Sequence, residues 1–147
     1  MFPEGYVIIL RHCDIVEHTR ICNKPIFSTE VTSLDALELS HNIVDILDEK
    51  QAENILLLDI TGLAPFADYF IIATATSDRQ SKALVDTVVG TLRDQRVKPL
   101  SIEGESLSGW QLLDYGEVIV HIFSPEQRDF YRLEELWSEA KVVVRMQ

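Results

Sequence analysis

From Thr32 onward the apolar positions follow two rhythms in turn. Leu34, Leu37, Leu39, Ile43, Val44, Ile46 and Leu47 recur at the spacing of one helix face, and Thr32 followed by Asp35 resembles a weak capping box, so the pattern predicts a helix ending near Glu49. "NILLLDIT" and "YFIIATAT" are short runs rich in Ile and Leu, separated by "GLAPFAD" with its Gly62 and Pro65; they predict two buried strands. Ser77 stands three residues before Gln80 in a second capping box, and Ala83, Leu84, Val85, Val88, Val89 and Leu92 then mark a helix to about Gln95. "KPLSIEG" reads as a third strand and "WQLLDYGEVIVHIF" (Trp110 to Phe123) as a fourth and fifth. "SPEQRDFYRLEELWSEA" reads as a third helix, with Ser124 as cap, Pro125 at the first helical position and Gln127 closing the box. The final "KVVVRMQ" has the pattern of a short extra strand. This order predicts an α/β domain, a mixed sheet of about five strands with flanking helices, because both apolar faces of such a sheet must be covered.

Residues 1–31 differ. They lack sustained periodicity and hold Pro3, Cys13, Cys22 and Pro25, which sets them apart as an N-terminal extension preceding a domain at 32–147. With three Lys/Arg and four Asp/Glu, the segment is too acidic for a transit peptide and too poorly flanked for a secretory signal. No methionine lies between Met1 and Met146, so a natural start at Val31 through a non-AUG codon is one expectation. Cys13 and Cys22 are the two cysteines, a usage that fits free thiols in a reducing cytoplasm. Apolar runs such as Val7 to Leu10 and Ile55 to Leu58 are far shorter than the roughly 20 residues of a membrane span, so a soluble protein is expected.

Charge narrows the partners. The chain carries 24 acidic and 13 basic side chains, a formal net charge of −11. Such a field repels a phosphate backbone, so little direct nucleic-acid binding is expected, and it speeds encounter with a basic partner.

The stretch from Trp110 to Phe123 concentrates polar and aromatic groups in two otherwise apolar strands. A two-residue turn at Tyr115–Gly116 would set Asp114 opposite Glu117, Leu112 opposite Ile119 and Trp110 opposite His121. One side of the hairpin then carries Trp110, Leu112, Asp114, Glu117, Ile119, His121 and Phe123, and the other carries the nearly pure core set Gln111, Leu113, Val118, Val120 and Ile122. Opposed carboxylates beside an amphipathic Trp and a His suit an exposed face that docks against something basic and partly apolar. The alternative is that Asp114 and Glu117 only solvate a turn, that Trp110 packs under the first helix, and that His121 is a satisfied structural histidine.

Patterns for catalysis fall short. There is no GxSxG elbow, and the six glycines, Gly5, Gly62, Gly90, Gly104, Gly109 and Gly116, match neither GxGxxG nor GxxxxGK[ST]. Glu103 and Glu105 are the nearest to a metal-binding pair, but the intervening Gly104 suggests a turn; His12, Cys13, His18 and Cys22 match no zinc spacing. On the third helix Phe130, Leu133, Trp137 and Ala140 form an apolar stripe, with Tyr131, Glu134 and Glu135 at its edge; an aromatic at Trp137's spacing usually belongs to the core.

"DYFIIATATSDRQ" (Asp68 to Gln80), the "EG" of Glu103 and Gly104, and "WQLLDYGEVIVHIF" followed by "RDFYRLEELW" together resemble the ribosomal silencing factor, or Iojap-like, family from about Thr32 to Ala140. Ala75 stands where the family often has glycine. The resemblance implies a fold similar to nucleotidyltransferases without their activity or any cofactor, and a cytoplasmic translational repressor. Such a protein docks on the large ribosomal subunit, against the basic protein numbered fourteen in its series, and obstructs joining of the small subunit. Members often occur as dimers. Carried over by motif position, the partner-binding candidates are Trp110, Asp114 and His121 of the strand pair with Tyr131, Leu133, Glu134 and Trp137 of the last helix; Asp68 and Tyr69 are assigned to structure. The competing expectation is a metal-dependent nucleotidyltransferase-like enzyme using Glu103, Glu105 and Asp114.

Overall fold

A computed structural model describes residues 35–147. The capping role of Thr32, the thiols of Cys13 and Cys22 and every expectation for residues 1–31 lie outside the described residues. The elements are α1 (Ala36–Glu49), β1 (Glu53–Asp59), β2 (Tyr69–Thr74), α2 (Asp78–Asp94), β3 (Ser101–Glu103), a 3₁₀ turn (Ser106–Ser108), β4 (Trp110–Asp114), β5 (Val118–Phe123), α3 (Pro125–Tyr131), α4 (Leu133–Leu136) and β6 (Lys141–Met146). The predicted caps Ser77 and Ser124 hold, but their boxes do not close, since Gln80 Oε1 accepts the Thr76 N–H at 2.8 Å and the Ser124 N–H donates to the Gly109 carbonyl at 2.8 Å. Ser77 Oγ accepts the Gln80 N–H at 3.2 Å, and Ser124 Oγ accepts the Gln127 N–H at 3.3 Å, each satisfying a donor that a helix start leaves without an intrahelical partner.

The sheet has six strands in the order β3-β4-β5-β2-β1-β6, one more than the five expected, because the closing "KVVVRM" pairs antiparallel with β1 as an edge strand. β2 and β5 run parallel and the other neighbours antiparallel. Helices α1 and α2 cover one face through Ile55, Leu57, Ile71, Ala73, Leu113, Val118, Val120 and Ile122. The other face, with Leu56, Leu58, Phe70, Ile72, Trp110, Leu112, Ile119 and Phe123, lies under Ile60, Ala64 and Ala67 of the β1–β2 loop and Leu133 of α4. Covered on both sides, β5 is buried along its whole length. Among the described residues no helix is long and apolar enough to cross a membrane.

Two expectations are corrected here. The hairpin does not turn on Tyr115–Gly116. Tyr115 and Val118 are joined by the Tyr115 N–H to Val118 C=O bond at 2.9 Å, so Gly116 and Glu117 are the central pair. Gly116 has φ +88°, which suits the first central position of a II′ turn, and Asp114 Oδ1 holds its N–H at 2.7 Å. The register becomes Trp110 opposite Phe123, Leu112 opposite His121 and Asp114 opposite Ile119. Moving the turn by one residue shifts the pairing by two. Because side chains alternate with period two, every strand residue keeps its predicted side.

The second correction concerns the last helix. It breaks at Arg132, whose left-handed φ of +44° ends α3 and starts α4. The apolar stripe is broken with it: Leu133 is buried and Trp137 and Ala140 pack against the core, but Phe130 is 72% exposed.

Candidate docking site

The hairpin side expected to be exposed is interior. Trp110 is only 9% exposed, and Asp114 and His121 are buried still more fully. What covers Trp110 and His121 is the C-terminal helical segment and the β1–β2 loop, not the first helix, and the hairpin's own sequence does not announce them. Leu133, another of the expected contacts, is buried as well. Trp110, Asp114, His121 and Leu133 therefore do not form an accessible face.

Trp110, His121 and Leu133 are brought together around an aromatic cluster, while Asp114 lies apart at the hairpin turn, where it holds the Gly116 N–H. The Trp110 Nε1–H donates to His121 Nδ1 at 3.2 Å. Nδ1 is thus an acceptor and the neutral ring carries its proton on Nε2. Burial pushes the His121 pKa down to about 3, because a charged imidazolium would be stripped of water with no counter-charge bonded to it. Nε2 is buried without a hydrogen-bond partner among the described residues. The ring is enclosed by Phe70, edge-on with centroids 5.0 Å apart, and by Phe123, stacked at 6.0 Å. A histidine sealed in this way is a structural ring, unable to exchange a proton with a substrate at neutral pH.

The aromatic contacts continue outward. Trp110 meets Tyr131 at 4.6 Å, and Tyr131 meets Phe130 at 5.1 Å, edge to face. On the other side Phe70 meets Trp137 at 5.3 Å, and Trp137 meets Phe66 at 6.2 Å. A run of rings thus leads from the core at His121 to solvent at Phe130. Offset and edge-on pairs of this kind each add about 0.5–1.5 kcal/mol beyond area burial, so Phe130 stands on a rigid support.

Arg128 fixes the helical corner. Largely buried, it donates through Nη1 to the Asn54 carbonyl at 2.5 Å and to Thr74 Oγ1 at 2.8 Å, and through Nε to Glu134 Oε1 at 3.2 Å. One side chain on α3 thereby ties α4 to the ends of β1 and β2. Arg128→Met is expected to lower folding stability by about 2 kcal/mol, since it removes the hydrogen bonds with the Asn54 carbonyl, the buried Thr74 hydroxyl and the partly buried Glu134 carboxylate together. Urea unfolding would measure this, and an unchanged midpoint would show that the corner is held by something else.

The surface so positioned is acidic with apolar points. Phe130 and Leu136 are exposed, Tyr131, Glu134 and Trp137 are half-buried, and Glu126, Asp129, Glu135 and Glu139 are exposed around them. Tyr131 and Trp137 thus reach the surface, whereas the Glu134 carboxylate is turned inward, Oε1 accepting from Arg128 and Oε2 buried. Phe130 and Leu136 were not among the expected contacts. Helical periodicity assigns Phe130 to a core stripe, and only the break at Arg132 turns it outward. A cleft of about 690 Å³ beside Arg128 is lined by both signs of charge, including Arg132, Arg145, Glu53 and Glu135, which is not the donor set of a single anion or cation. Among the described residues no group of three His, Cys, Asp or Glu could hold a metal ion, and Asp114 is buried, apart from any open pair with Glu103 and Glu105.

Comparison with known proteins bears on the whole arrangement. Residues 33–147 match the family model described as ribosomal silencing factor during starvation. The chain is 38% identical over 93 residues to the ribosomal silencing factor of Bacillus subtilis, covering 63% of this chain and 79% of that protein. It is 29% identical over 99 residues to the mouse protein named mitochondrial assembly of ribosomal large subunit protein 1, covering 65% of this chain and 43% of that one. A crystal structure of a Chromobacterium violaceum protein superposes with a TM-score of 0.68 at 32% identity, covering 75% of this chain and 93% of that one. A mixed sheet carrying the "LDYG", "VIVH" and "LEELW" segments on its strands and last helices, together with a family match that spans most of its length, places the chain in the ribosomal silencing factor family.

Proposed function

We propose that this chain is a translational repressor of the cytoplasm that binds the large ribosomal subunit through its basic protein fourteen and blocks joining of the small subunit. Membership of a family named for ribosomal silencing supports this, as does a relative whose name refers to assembly of the large subunit. The observation that carries the reading is the corner formed by α3 and α4. It sets an exposed Phe130 on a scaffold of packed rings beside the exposed Glu126, Asp129 and Glu135, the last of which faces Arg132 at 3.6 Å. Carboxylates at this corner pair with Lys or Arg of a basic partner, while the net charge of −11 keeps the protein off bare RNA. Tyr131 and Trp137 make contacts along with Phe130; Glu134 acts by holding Arg128; Trp110, His121 and Leu133 act from beneath by holding the surface in shape; and Asp114 shapes the hairpin turn instead. Repression then needs no chemistry, because a rigid body seated on the joining surface excludes the other subunit.

Phe130→Asp is expected to weaken binding to isolated large subunits by about 30-fold, the equivalent of losing a hot-spot anchor of about 2 kcal/mol. Stability should fall by no more than about 1.5 kcal/mol, the worth of the ring pair with Tyr131 at an otherwise exposed position. Cosedimentation with large subunits in sucrose gradients, followed by addition of small subunits, tests both steps. A parent chain that neither comigrates nor reduces the joined particle would overturn the reading; a Phe130→Asp chain that binds as well as the parent would move the contact elsewhere.

A further inference from the structure

We propose that the free edge of β3 accepts an extended strand from a basic protein partner as a seventh strand of the sheet. The inference rests on the reading above, that the partner is a basic protein of the large subunit, and it assigns to that partner a second contact.

β3 ends the strand order and pairs only with β4 among the described residues, leaving one side of its backbone with unmade ladder bonds. Three of the large apolar side chains exposed in this molecule fall within eight residues of it: Leu100 at 74%, Ile102 at 47% and Leu107 at 80%. An exposed edge with apolar side chains on it is a template for strand addition. Lys98 and Pro99 stand ahead of this edge, and the strand itself carries a carboxylate, Glu103, with Glu105 just beyond it. β6, at the opposite end of the sheet, has Lys141 and Arg145 at its two ends.

Charge decides between occupants. Two copies of this chain paired edge to edge would bring Glu103 and Glu105 of one against those of the other, between molecules of net charge −11. A strand alternating apolar residues with Lys or Arg meets the same edge with apolar contacts at Leu100 and Ile102 and opposite charge at Glu103 and Glu105. Within the fold the edge is joined to the helical corner: Glu103 pairs with Leu112 on β4, and Trp110 of β4 supports Tyr131 and through it Phe130.

Hydrogen exchange of the full chain, alone and bound to isolated large subunits, tests this together with the double variant Leu100→Lys/Ile102→Lys. Both substitutions are at exposed positions and put onto this edge the lysines that keep strands apart. The expected result is slower amide exchange across residues 100–104 only when the subunit is bound, with an affinity loss of at least about tenfold in the variant, as for a contact that carries real binding energy. If the parent chain binds large subunits but exchange at 100–104 does not change and the variant binds equally, the strand contact is overturned while the proposed function stands. If the parent chain fails to bind at all, both fall. If 100–104 are protected without ribosomes, in a manner that depends on protein concentration and is lost in the variant, a second copy occupies the edge and the proposal is overturned.

Discussion

Trp110→Ala is expected to destabilise the folded chain by about 3–5 kcal/mol, the range for truncating a buried large aromatic side chain. The effect combines two losses. The indole fills the space between Phe123, at 4.7 Å, and Tyr131, at 4.6 Å, so its removal opens a cavity beneath the corner that carries Phe130. It also removes the one hydrogen bond that satisfies His121 Nδ1, leaving a buried acceptor unpaired. Trp110→Phe separates the two: it keeps most of the packing and loses only the N–H, and about 1–3 kcal/mol should go with it. Binding to large subunits should fall further in Trp110→Ala than in Trp110→Phe, since only the first undermines the ring contact with Tyr131. Urea titration of the three proteins decides the matter, and equal midpoints would mean that the ring cluster does not support this part of the fold.

Acid should destabilise the protein before its carboxylates begin to protonate. The folded chain holds His121 neutral down to about pH 3, whereas in the unfolded chain the ring takes up a proton near its ordinary pKa of about 6.5. At pH 7 both states are neutral at this site and nothing is lost. As pH falls below 6.5 the unfolded state binds a proton that the folded state excludes. Stability then declines, and the loss reaches on the order of 4–5 kcal/mol near pH 3, where the folded ring also protonates. Asp59 adds a loss of the same sign at lower pH, because its hydrogen bonds with Thr61 hold its carboxyl below the usual carboxylate range. Between pH 6.5 and 4.5 the His121 contribution should dominate. Urea midpoints measured across that interval should fall steadily in the parent chain and stay nearly flat in His121→Gln, whose side chain does not titrate. A flat profile in the parent would show that His121 has access to water or to a counter-charge.

The helical corner and the β3 edge together suggest how an acidic protein could hold a basic partner without chemistry. Phe130 stands on rings that lead back to a sealed core, and Arg128 ties both short helices to the sheet ends. Neither depends on a residue that must change protonation state near neutral pH. The seating of such a partner should therefore vary with salt more than with pH.

Periodicity and capping alone determined most of the elements. Ile43, Leu47, Leu84, Val88 and Leu92 fell on helix faces that are buried, and Ser77 and Ser124 marked helix starts, because these signals are local: each arises from residues within one or two turns of each other. The two-sided division of the hairpin also came from sequence, since alternation with period two survives an error in the turn. The turn itself was legible in principle, because glycine followed by a non-glycine residue favours II′ geometry with the glycine first. Burial of that side was not legible. Whether Trp110 and His121 face water depends on where the C-terminal segment lies, which Arg128 fixes by reaching Asn54 and Thr74 across the fold. Nor does any glycine or asparagine at position 132 announce the left-handed break that turns Phe130 outward. Element type is a short-range property of the chain. Which face meets solvent is decided by long-range packing, and for this protein only the tertiary structure moved the candidate surface from the hairpin to the helices that cover it.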